Sequence, residues 1–119
     1  MKWFALALLV ACGGAAARVR SQINDVDLRL EMAYDSVARA QVGVQKAKPK
    51  EVEAAHRDLL AAVAEKAFLQ ADRVYLVAQL DRINNPSPEN QALEDRARAE
   101  RDRLEVEWKA KLKDVSAPW

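Results

Sequence analysis

Between Ala16 and Ala47 the chain places an apolar residue at every third or fourth position, and no other feature limits its fold so tightly. The positions are Ala16, Val19, Ile23, Val26, Leu30, Ala33, Val37, Ala40, Val44 and Ala47. Alternation of three and four is a heptad seam, a single stripe along an α-helix that has to lie against another helix. Alanine and β-branched valine dominate this stripe, so a partner can come close but each layer buries little, and a lone two-stranded coil built on it is weak. Arg18, Arg20, Asp27, Arg29, Asp35 and Arg39 occupy the other faces, and Asp35 with Arg39 stands in the favourable i,i+4 order.

Pro49 interrupts the seam, because proline lacks the helix-donating N–H and biases the preceding residue, Lys48, away from helical geometry. The first helix is therefore expected over about 16–47. Proline followed by Lys50, Glu51, Val52 and Glu53 suits a helix start with Pro49 in its first position and acids in its first turn, which opens a second helix over about 50–84. Its apolar residues, among them Leu59, Leu60, Val63, Phe68, Leu69, Val74, Leu76, Val77, Leu80 and Ile83, cover more than half the circumference. Such a helix needs neighbours on two sides, which makes it the middle of a bundle with both faces covered by helices one and three.

Asn84-Asn85-Pro86-Ser87-Pro88 is the clearest loop, with Ser87 in N-cap position ahead of Pro88. A third helix follows over about 88–114. It carries a sparse stripe of Leu93, Ala97, Leu104, Trp108, Leu112 and Val115, while Glu94 with Arg98, Glu105 with Lys109 and Glu107 with Lys111 are expected to pair on its wet faces. Usage agrees: 23 of 119 residues are Ala and Thr is absent, which favours helix and leaves few residues for a sheet.

Two architectures fit. If the chain reverses at Pro49, the fold is all-α, an up-down-up antiparallel three-helix bundle with coiled-coil-like packing. If Pro49 only kinks it, residues 16–84 form one rod of roughly 100 Å whose partner is another chain. Reversal is the expectation, although residues 45–51 contain no Gly or Asn to make the turn.

Chemistry is sparse. His56 is the single histidine, and Glu53 three residues earlier gives a Glu-x-x-His spacing on one helix face. Ferritin-like metal sites need two such pairs plus further carboxylates, so His56 reads as a solvated or half-buried side chain and no metal or cofactor is expected. With one His, no Gly-rich phosphate loop and no Cys/His spacing, the expected function is non-enzymatic, without a small-molecule substrate. The alternating charges from Glu94 to Lys113 read as a salt-bridged helix face, and a near-neutral balance gives no electrostatic case for nucleic acid. Trp108 lies on the apolar stripe and reads as core. Trp119, behind Pro118 in the tail 116–119, is a candidate partner contact because an exposed indole offers apolar area to bury.

The N-terminus supplies the one motif. Met1-Lys2 is a short positive region, Trp3 to Val10 is apolar, and Ala11 precedes Cys12, the only cysteine. This is the layout of a secretory signal. The uncharged run Trp3–Ala17 has 15 residues, short of the about 20 that crossing a bilayer requires. Leu9-Val10-Ala11-Cys12 resembles the lipobox of bacterial lipoproteins at all four positions. That resemblance implies that a diacylglycerol joins the Cys12 thiol, that residues 1–11 are removed as a signal peptide, and that residues 12–15 become a lipidated N-terminus and tether for a bundle at 16–115. Each buried methylene of the lipid contributes roughly 0.8 kcal/mol, so two or three acyl chains hold the protein to the membrane. Gly13 after the cysteine resembles lipoproteins sent to the outer membrane of a Gram-negative cell. The murein lipoprotein, joined to the wall through a terminal Lys, differs: this chain ends Ser-Ala-Pro-Trp.

The expectation is then a lipid-anchored, periplasm-facing envelope protein acting as a scaffold or adaptor for a protein partner or for itself. An alternative keeps residues 3–17 as the anchor of a bitopic periplasmic coiled-coil protein, in the manner of spanins or divisome subunits. A third is a small helical carrier of an apolar ligand, with room left by the many alanines.

Overall fold

The computed structural model describes the backbone of residues 2–116 and the side chains of residues 14–115. It holds three α-helices: α1 Lys2–Lys46, α2 Val52–Asn84 and α3 Pro88–Ser116. At about 1.5 Å per residue they run roughly 68, 50 and 44 Å, and the molecule measures 73 × 23 × 22 Å.

The chain reverses at Pro49. Arg73 meets Asp27 at 2.6 Å and Gln70 donates to the Tyr34 hydroxyl at 3.0 Å, which sets α1 and α2 antiparallel. The turn manages without Gly or Asn because it needs no left-handed residue. The Glu51 N–H donates to the Lys48 carbonyl at 2.8 Å, closing a four-residue turn in which Pro49 holds the second position, where its fixed φ is an asset. Proline accordingly sits in the turn and not at the first position of α2, which starts at Val52, three residues later than Pro49 suggests.

The heptad seam of α1 is the buried stripe. Ala16, Val19, Val26, Leu30, Ala33 and Val37 are buried, and Ile23, Ala40, Val44 and Ala47 half-buried. Val19, Val26, Leu30 and Ala33 join Phe68, Leu69 and Leu76 of α2 in one cluster, with Leu104 and Trp108 of α3 packed onto it. Leu69 is wholly enclosed, and the Phe68 and Trp108 rings stack at 5.2 Å. The middle helix α2 packs on both others, whereas α1 and α3 nowhere bring Cα atoms within 8 Å among the described residues.

Both connections obey local rules. Ser87 Oγ accepts from the Asn90 N–H at 3.1 Å, the expected N-cap, with Pro88 opening α3. Asn90 Nδ2 in turn donates to the Asn85 carbonyl at 2.8 Å, tying the loop to the new helix.

Two expectations need correction. Helices α1 and α3 do not cover the whole apolar girth of α2, since Leu60, Val63 and Val74 remain 43%, 45% and 61% exposed. The stripe of α3 is also rotated: Leu93 and Leu112 face outward, and Glu94 lies within the bundle at 2% exposure.

Candidate functional site

The polar chemistry of the bundle is concentrated where α1 and α3 stand apart over α2. A cleft of about 430 Å³ opens there, with Gln22, Asp25 and Arg29 from α1, Asp72, Tyr75 and Gln79 from α2, and Arg101 from α3 on its walls. The residues reach this place through helical spacing. On α2 the inward positions 65, 68, 72, 75 and 79 alternate apolar with polar side chains, so Asp72 and Gln79 are carried into the interhelical space by the same turn that carries Phe68.

Asp72 is mostly enclosed, and its carboxylate is 3.8 Å from the Arg101 guanidinium. Burial raises the Asp72 carboxyl above its ordinary value of 3.8, Arg101 and then Arg29 pull it down, and Glu105 adds to the rise. The net direction is upward, because the loss of hydration outweighs partners that are not in tight contact. Tyr75 lies beneath two cations, with Arg101 4.3 Å and Arg98 5.6 Å from its ring centre.

Nearer the α2–α3 connection, Arg82 of α2 and Arg98 of α3 both donate to Glu94, the latter at 3.2 Å. Glu94 and Arg98 do form the expected i,i+4 pair, but it lies in the interface and not on a wet face. Asp35 with Arg39 at 2.9 Å and Glu105 with Lys109 at 2.8 Å pair as expected, while Glu107 pairs with Arg103 at 3.0 Å.

The residues singled out in the sequence disperse. His56 is exposed, and Glu53 reaches forward to Arg57 at 3.2 Å. Among the described residues no three His, Cys, Asp or Glu side chains gather as a metal site would require. Trp108 is in the core, its Nε1 buried with no acceptor. The side chains of Leu9 to Cys12, which resemble a lipobox, and the tail residue Trp119 lie outside the described residues, and α1 runs without a break from Lys2 past Gly13 and Gly14. Among the described residues no helix is long and apolar enough to cross a membrane.

No match is found. No family model, no characterised protein and no solved structure matches the chain. Its geometry has to speak unaided. Val26 and Leu76 also line the cleft, but charged and amide side chains outnumber them, and among the described residues no nucleophile stands there with a base beside it, so its walls suit water and ions better than hydrocarbon. The more distinctive surface is the outer side of α2, where Leu60, Val63 and Val74 stand in the open.

Sequence reasoning missed Glu94 and Arg101 because it chose α3 positions by apolar identity. Spacing alone would have found them. Positions 94, 97, 101, 104, 108 and 111 alternate by three and four, and every one is buried or half-buried.

Proposed function

We propose that the chain is a non-enzymatic, lipid-anchored protein of the bacterial cell envelope, whose helical bundle serves as a scaffold or adaptor. The observation that carries this reading is the tetrapeptide Leu9-Val10-Ala11-Cys12, four residues ahead of the first buried seam residue, Ala16. Acylation at Cys12 would hold the end of the bundle that carries the α2–α3 connection close to the lipid surface. The turn at Pro49 would then stand roughly 45 Å farther out, given 30 helical steps of about 1.5 Å from Ala16 to Lys46. Gly13 favours the outer membrane and a periplasm-facing body. A body of salt-bridged helices with an apolar outer face fits contact with protein better than turnover of a substrate.

Palmitate labelling of cells producing the chain tests the anchor. Label should enter the parent and disappear from Cys12→Ser, and a Cys12→Ser chain that is still acylated would sink the reading.

One observation favours a second reading, that residues 3–17 stay as the anchor of a bitopic coiled-coil protein. It is the unbroken course of α1 from Lys2 into the bundle, with the helix passing straight through both glycines. The two differ in whether Met1 survives in the membrane form.

A further inference from the structure

Along the outer side of α2 the residues Leu60, Val63, Ala67, Gln70, Val74 and Val77 follow one another at intervals of three and four. This is a second seam, distinct from the inner one that holds Phe68, Leu69 and Leu76. Leu60, Val63 and Val74 are open to solvent and Ala67 and Val77 half so. From His56 to Asp81 it runs along about 38 Å of helix, 25 residues at about 1.5 Å each.

The order of residues says what covers it. We infer that the occupant is a second copy of this chain, its α2 packed antiparallel on the first about a two-fold axis between Phe68 and Leu69. In that register Leu60 meets the partner's Val77, Val63 meets the partner's Val74, and Ala67 meets the partner's Gln70. Each pairing occurs twice by symmetry, as an isologous contact requires. The same register sets exposed His56 at each end against the partner's exposed Asp81, a complementary polar pair. On one flank Ala64, Ala71 and Ala78 allow close approach. On the other, the cations Lys66 and Arg73 are engaged within their own chain, Lys66 over the Tyr34 ring at 4.5 Å and Arg73 on Asp27, so like charges do not face each other unscreened. A parallel pairing would set His56 against His56 and Asp81 against Asp81 and lacks this match.

The inference deepens the interaction reading above by naming the partner, but it rests on α2 and not on Cys12. The test is disulfide trapping in membranes of cells producing the full chain with Val63→Cys, Val74→Cys or both. The register brings Val63 to the partner's Val74 but leaves the two Val63 residues about 16 Å apart, 11 residues along the helix, far beyond the about 7 Å that a disulfide spans. Mild oxidation should give a dimer of twice the chain mass for the double variant, and none for either single variant. A dimer from Val63→Cys alone that the parent does not also give through Cys12, or no dimer from the double variant beyond what the parent gives, overturns the proposal. Sedimentation of the detergent-extracted full chain provides a second reading: the parent should be dimeric and Val74→Lys monomeric with unchanged helicity, and a monomeric parent overturns the inference. Palmitate incorporation in the same cells separates the two claims. A labelled chain that gives no cross-link refutes the dimer alone, and an unlabelled chain that gives it refutes the anchor alone.

Discussion

Glu94 offers the sharpest test of how α3 sits on α2. Its side chain is 2% exposed and receives hydrogen bonds from Arg82 and Arg98, whose own side chains are 32% and 44% exposed. Truncating one member of a fully buried ion pair costs about 3–5 kcal/mol, because the remaining charge is left without hydration. Here both arginine side chains are about a third or more exposed and water recovers part of the loss, so Glu94→Ala should cost about 2 kcal/mol. For a domain of this size that lowers the melting temperature by roughly ten degrees. The control is Asp35→Ala, which breaks an open i,i+4 pair with Arg39 and should stay within about 0.5 kcal/mol of the parent. Denaturant titration of the Cys12→Ser chain, followed by far-UV circular dichroism, measures both. Had α3 turned Glu94 to solvent, as its apolar residues alone suggest, the two variants would behave alike. Equal small losses would therefore refute the packing of α3 described above.

Two further outcomes follow from the core and the cleft. Leu69 is wholly enclosed where α1 and α3 both lean on α2, so Leu69→Ala should cost about 3 kcal/mol in the same titration, and a loss below about 1 kcal/mol would mean the core is elsewhere. Asp72 is a carboxyl with its folded pKa raised by burial, so its ionised form weakens the fold at neutral pH. Asp72→Asn should therefore melt higher than the parent at pH 7, and the gain should fade as pH drops through the raised folded value and vanish below the ordinary 3.8, where the parent's Asp72 is protonated in both states. A destabilised variant at pH 7 would show that the Arg101 contact outweighs the burial.

Much of the fold was legible because the α1 seam is regular. Ten positions from Ala16 to Ala47 define one face, and that face is the buried one. The reversal at Pro49 was less plain, since the local signal lacked Gly or Asn, and the turn that forms needs neither because none of its residues takes a positive φ. The α3 stripe was misread because apolar identity and helical spacing disagree there, and spacing prevails when Arg82 is at hand to neutralise an inward Glu94. That partner lies twelve residues away across a loop, and no local pattern announces it. The outer face of α2 was visible as excess apolar girth, but which part α1 and α3 leave uncovered depends on where they lie around it. The tetrapeptide Leu9-Val10-Ala11-Cys12 was legible as a resemblance to a lipobox, and the acylation it implies would take place on the thiol of Cys12.

The proposed anchor would be made on that thiol, and the intact mass of the protein extracted from membranes tests it. The mass should correspond to a chain beginning at Cys12, lacking residues 1–11, with a diacylglyceryl group and in most molecules an amide-linked acyl chain added. A mass that retains Met1 with an unmodified Cys12 would contradict the anchor and transfer the bundle to a bitopic protein.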